Sequence, residues 1–162
     1  MAQDMTLKLE EPKIDGESKK IKYENEIDVY DIRFGVTQSA STSDGTGGGS
    51  AKSDCKDLII TKLIDKSSPF LFLHSATGKP IGKVRLTVRK AGGTPLDYLV
   101  ISLTDAIVTS VTSGGKVEDE RVREEVSFSY ATISIQYKTQ NADGSAGATI
   151  QTNYNVETNV GG

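Results

Sequence analysis

The chain has 162 residues, 36% of them apolar and 6% aromatic, with no tryptophan. One domain of that size buries roughly two-thirds of its unfolded surface, so neither disulfides nor metal are required for stability. Nineteen cations against 22 anions leave a net charge of −3, which excludes a nucleic-acid binder held by phosphate contacts. A single cysteine, Cys55, excludes an intrachain disulfide and suits a reducing compartment. Met1–Lys13 lacks the basic start and apolar core of a signal peptide, and no apolar run approaches the ~20 residues of a membrane span.

In chain order, Met5–Leu9 alternates as a first strand, and residues 11–25 read as a polar loop. Glu26–Gln38 reads as one long strand, with Tyr30, Ile32, Phe34 and Val36 on one face and Asp31, Arg33 and Thr37 on the other. Residues 39–53, SASTSDGTGGGSAKS, form an extended flexible loop. Leu58–Ile64 is an apolar run of strand length. A helix over about 68–77 follows, with Ser67 or Ser68 as cap, Pro69 in the first turn, and Gly78 and Pro80 ending it. Val84, Leu86 and Val88 then alternate with Arg85, Thr87 and Arg89. Further strands are expected at Pro95–Leu103 (running on towards Val111), Val126–Tyr137 and Ala148–Val156, the last followed by a disordered tail at 157–162. The apolar phase slips by one near Ala131, which predicts a bulge or a change of sheet. The expected architecture is mainly β: a single domain over 1–162, a small β-barrel of two curled antiparallel sheets with one short flanking α-helix and a long glycine-rich loop.

No catalytic constellation assembles. His74 is the sole histidine and reads as a helix-surface or packing residue, and Cys55 precedes a strand, where no helix N-terminus activates it. One histidine and one cysteine leave no ordinary zinc set, so neither metal nor cofactor is expected. Gly47–Ser53 approaches a phosphate-binding loop, but Ala51 stands where glycine must precede the lysine, and an apolar strand follows. Gly78-Lys79 fails because Pro80 replaces the Ser or Thr that holds magnesium.

Charge placement is more informative. No acidic residue lies between Lys66 and Leu96, while Glu118, Asp119, Glu120, Glu124 and Glu125 surround only Arg121 and Arg123. Opposite patches on different strands suit a heterologous contact between copies, and such contacts close into rings. Arg85 and Arg89 against Glu118, Asp119 and Glu120 are the expected partners.

Several segments resemble Hcp, the haemolysin-coregulated protein family of type VI secretion systems. They are Met1–Met5, Glu26–Val29, Gly35–Gln38 before the glycine loop, Lys62–Pro69, Leu86–Gly92, Tyr98–Leu103, Glu118-Asp119 with Arg121, and Ala142–Gly144. Phe34 and Asp97 depart from the more usual Trp and Glu. The resemblance implies a structural protein rather than an enzyme. Its subunits would form a homo-hexameric ring, and the rings would stack into a hollow tube with a tip spike protein, contractile sheath and baseplate as partners. Small secreted effectors would ride in the lumen, with no nucleic acid and no membrane insertion. Localisation would be cytoplasmic before firing and then secreted without a signal peptide. Within such a tube, Asp31 and Arg33, opposite Tyr30, Ile32, Phe34 and Val36 on the long strand, are expected to face the lumen, with pairing of Arg33 to an acid at the subunit boundary as the alternative, and the loop residues Asp44, Gly45, Gly47, Gly48, Gly49 and Lys52 would reach a neighbouring subunit or ring. A phage-like tail tube shares this architecture. A carbohydrate-binding β-sandwich is disfavoured by the missing tryptophan.

Overall fold

The structure is a computed structural model and describes residues 3–39, 53–92 and 95–162. Its strands are β1 (Gln3–Glu10), β2 (Ile27–Val29), β3 (Asp31–Arg33), β4 (Val36–Gln38), β5 (Ser53–Cys55), β6 (Leu58–Leu63), β7 (Ile81–Lys90), β8 (Leu96–Gly114), β9 (Arg123–Ser129), β10 (Thr132–Gln140), β11 (Ala146–Asn155) and β12 (Val160–Gly161), with one helix, α1 (Ser68–Thr77). All strand pairings are antiparallel. The expected mainly-β, two-sheet architecture with one flanking helix is present, curled but not closed.

The hinge of the fold is β8. Its 19 residues serve both sheets. Residues up to Ala106 pair with β7, and Leu99–Thr104 also pair with β10 on the other side. Beyond Asp105, whose φ is +50°, Ile107–Gly114 pair with β9 instead. One sheet therefore runs β12-β11-β10-β8-β7-β1-β2, and the other continues from β8 through β9 and β6 to β3. The phase slip near Ala131 is the matching event on the next strands: β9 ends at Ser129, β10 begins at Thr132, and the chain crosses from one sheet to the other between them. Between the sheets lie Leu7, Ile27, Ile60, Leu86, Ile101 and Phe128, all fully buried.

Glu26–Gln38 is not one strand. It changes partner twice, from β1 to β6 to the β4–β5 ribbon, and so breaks into β2, β3 and β4. The change after Val29 also shifts the side-chain phase. Ile27 and Val29 point inward, and then Ile32 does, while Tyr30, Phe34 and Val36 are exposed rather than in the core. The 11–25 segment is tied down to β2 by backbone bonds from Gly16 N to Asn25 O (2.8 Å) and Ser18 N to Glu26 O (2.9 Å). Gly16 permits this approach, since a Cβ there would lie 2.6 Å from the Glu26 carbonyl. The tail expected to be disordered instead turns back as β12. Asn155 Oδ1 accepts from the Glu157 and Thr158 amides, and Val160–Gly161 then pair with β11.

The helix falls where the sequence places it, but neither serine caps it through its side chain. Ser67 Oγ donates to the Asp65 carboxylate, and Ser68 Oγ is drawn into a buried ionic cluster. At the other end Gly78 sits at φ +70°, and His74 Nδ1 donates to the Lys79 carbonyl (3.0 Å), which holds His74 as a buried packing residue. A carbonyl only accepts, so this bond fixes the tautomer.

Candidate functional site

Three surfaces and one buried anchor carry the functional reading. The anchor is Lys62, on the inward face of β6 and 0% exposed. Its ammonium has three donors, and three acceptors meet them: Glu124 Oε2 at 2.6 Å, Asp65 Oδ1 at 3.0 Å and Ser68 Oγ at 3.0 Å. Ser68 Oγ donates onward to Glu124 Oε2 (2.6 Å), and Ser113 Oγ donates to Glu124 Oε1 (3.1 Å). Burial pushes the Glu124 carboxyl up. The hydrogen bonds from Lys62 and Ser68, the Lys62 charge and the Ser113 hydroxyl outweigh it, so the group lies below the usual range. The cluster bolts the start of α1 to β6, β8 and β9. Sequence reading missed it because the only signal was a lysine at an inward strand position.

The first surface is the outer face of the β3–β6–β9 sheet. Asp31 and Arg33 flank the half-buried Ile32 and project away from the core. Arg33 Nη2 reaches Glu125 Oε2 at 3.2 Å across the sheet, an exposed pair worth at most about 1 kcal/mol. The outward direction expected for both residues holds, though for a different reason from the expected one, because Tyr30 and Phe34 do not form the opposing core face.

The second surface is charged. Arg85 is exposed on β7, and Lys83 on the same strand and Lys8 on β1 share its neighbourhood with Glu10. Glu118, Asp119 and Glu120 are exposed in the turn between β8 and β9. Among the described residues no ion pair joins Arg85 to that turn. Arg89 differs from Arg85. A register shift after Val88 sets it opposite Asp97, and Arg89 Nε donates to Asp97 Oδ1 at 2.9 Å. Its Nη2 donates to Tyr23 Oη at 3.2 Å, and the guanidinium lies 4.6 Å from the Tyr23 ring centre. Tyr23 in turn donates to Asp97. Burial and then the Asp97 carboxylate push the Tyr23 phenol up to about 12. Arg89 is therefore paired within its own chain, which leaves Arg85 the less encumbered of the two arginines expected at a subunit contact.

The third surface was not anticipated. At the root of the β4–β5 ribbon an apolar pocket of about 380 Å³ opens between Phe34, Val36, Cys55, Tyr130, Ile135 and Tyr154. Tyr130 Oη donates to the Lys56 carbonyl (2.9 Å), and burial, with Cys55 and Asp57 nearby, lifts its phenol to about 12. The loop residues Asp44, Gly45, Gly47, Gly48, Gly49 and Lys52 lie outside the described residues.

Comparison with known proteins decides the family. The family model "Type VI secretion system effector, Hcp" matches residues 6–137. Protein hcp1 of Pseudomonas aeruginosa is 40% identical over 162 residues, which is 99% of each chain. The chain belongs to the Hcp family. Among solved structures, Hcp1 from Salmonella typhimurium superposes on this Hcp-family chain with a TM-score of 0.79 at 34% identity, covering 99% of both. A structure described as a type six secretion system protein reaches a TM-score of 0.90 at 25% identity, covering 98% of this chain and 99% of that one. A type VI secretion system effector from Yersinia pestis gives 0.77 at 35% identity over 94% of this chain and 100% of its own. The curled two-sheet fold and the type VI secretion assignment are thus shared along the whole Hcp-family chain rather than carried by one motif.

Proposed function

We propose that this chain is the repeating subunit of a type VI secretion tube, with a structural rather than an enzymatic role. Six copies close into a ring, and rings stack into a hollow tube that a sheath propels and a spike tips. Small effectors ride in the lumen. The protein is made in the cytoplasm and leaves with the tube. The observation that carries this reading is the similarity to hcp1 across 99% of each chain. Arg85, exposed beside the Lys8–Glu10 and Lys83–Glu11 pairs, and the acidic turn at Glu118–Glu120 support it. They lie on different sheets and are unpaired with each other within the described chain, as a head-to-tail contact needs.

Charge exchange tests that contact. Arg85→Glu is expected to lower the hexamer fraction in native mass spectrometry, and adding Glu118→Lys with Glu120→Lys is expected to restore it. An unchanged mass distribution in both variants contradicts the pairing. The glycine loop, including Asp44, Gly45, Gly47, Gly48, Gly49 and Lys52, is assigned to contact with an adjacent subunit or ring.

Asp31 and Arg33 are assigned to the lumen wall. The Arg33–Glu125 pair is exposed, so Arg33→Ala is expected to change folding stability by less than about 1 kcal/mol. It is expected to leave the ring intact and to reduce co-purification of effectors from the producing cell. Ring loss in this variant would move Arg33 to the subunit boundary, and unchanged cargo recovery would remove it from the lumen.

A further inference from the structure

Residues 16–26 fold back over the outer face of β1 and β7. Thr6 and Thr87 lie opposite each other on that face and are only 2% and 4% exposed. Lys20 and Tyr23 lie over them, and the four residues line one small cavity together with Asp4 and Arg89. Side chains fasten the segment at two points. Lys20 Nζ donates to Asp28 Oδ1 at 2.9 Å, and Tyr23 is held by Arg89 and Asp97. Two features oppose closure. Lys22 sits at φ +73°, a left-handed conformation that is costly for a residue with a Cβ. Glu26 is 7% exposed, and its Oε1 has no hydrogen-bond partner among the described residues.

Glu26 belongs to the segment it burdens. Ser18 N donates to the Glu26 carbonyl, and Glu26 N donates to the Tyr23 carbonyl at 3.2 Å, so burial of the carboxyl is coupled to closure of the segment. The groups that act on it come from three strands: Thr6 and Lys8 on β1, Arg85 on β7 and Asp97 on β8. Burial pushes the carboxyl above the usual range, and Asp97 adds to this. The Thr6 hydroxyl, Arg85 and Lys8 pull the other way without cancelling it. A buried carboxylate with one oxygen unbonded destabilises the structure that buries it, and the neutral acid does so far less.

We propose that residues 16–26 form a proton-controlled clasp over β1 and β7: a proton on Glu26 favours the closed segment, and ionisation of Glu26 loosens it. The clasp belongs to the single subunit and does not depend on the ring. A carboxyl held above its ordinary value of 4.5 contributes stability that is fully present below that pH and is lost as pH rises through the folded value. The sign is opposite to that of Glu124, whose folded carboxyl lies below 4.5.

Hydrogen exchange over 16–26 in the full chain, corrected for the intrinsic effect of pH on exchange, tests the clasp at about pH 5 and about pH 8. The unsubstituted protein is expected to protect this segment several-fold more at the lower pH. Glu26→Gln, which keeps the shape and cannot ionise, is expected to give the same protection at both and to exceed the unsubstituted protein at the higher pH. Tyr23→Phe removes the hydroxyl shared by Arg89 and Asp97 and is expected to lower protection at both pH values while keeping the difference between them. Equal protection at both pH values in the unsubstituted protein overturns the proposal. So does a pH difference that survives in Glu26→Gln, or one that appears equally over α1, where it would report the whole fold.

Discussion

Glu124→Ala is expected to destabilise the subunit by about 3–5 kcal/mol. The substitution leaves the fully buried Lys62 without its nearest counter-charge and also removes the acceptor of Ser68 and Ser113. Chemical denaturation followed by circular dichroism checks it. A loss below about 1 kcal/mol, the value of a surface pair, contradicts the account of the cluster. Replacing both ions by apolar groups, Lys62→Met with Glu124→Leu, is expected to recover only part of the loss, because the buried Asp65 carboxylate then loses its counter-charge and Ser68 and Ser113 lose their acceptor. The cluster also sets an acid limit. The folded Glu124 carboxyl lies below its ordinary value of 4.5, so its contribution is fully present above that pH. The contribution is lost as pH falls through the lower folded value. Glu124→Gln is therefore expected to flatten the fall in stability below about pH 4.5 while lowering stability at pH 7.

Leu71→Ala is expected to cost about 2–5 kcal/mol and to loosen the helix as a unit. Leu71 is 0% exposed, and with Ser68 and His74 it makes up the buried face of α1. Ser68 and His74 are held by hydrogen bonds at the two ends, which leaves Leu71 as the sole large apolar group fastening the middle. Hydrogen exchange localised to 68–77 together with chemical denaturation would show both. Full stability in this variant would mean that the helix is held by its ends alone.

How far the sequence carried these conclusions differs between elements. Strands such as Lys83–Arg89 are visible because apolar and polar residues alternate along them, even though Thr87 on the polar side is buried as well. The helix is visible because Pro69, Gly78 and Pro80 bracket it. Glu26–Gln38 misleads for a physical reason. Alternation tells which side chains share a face, but not what covers that face, and this segment changes partner at Tyr30 and again at Phe34. The buried cluster was hidden because Lys62 and Glu124 are 62 positions apart, and only the β6–β9 pairing brings them together. Arg89 and Arg85 look equivalent in sequence. A one-residue register shift at Val88 turns Arg89 towards Asp97 and leaves Arg85 outside. The pocket was illegible for a related reason, since its walls come from four strands that converge only in the folded chain. The apolar excess of residues 69–73 was a usable signal. Five consecutive apolar residues exceed what one face of a short helix can bury.

The central claim is that this chain assembles into a ring with a channel. Native mass spectrometry of the purified protein, with negative-stain images of the same sample, tests it most directly. The account predicts a hexamer with a central hole. A monomer that persists across salt and protein concentration, with no hole in the images, would contradict it.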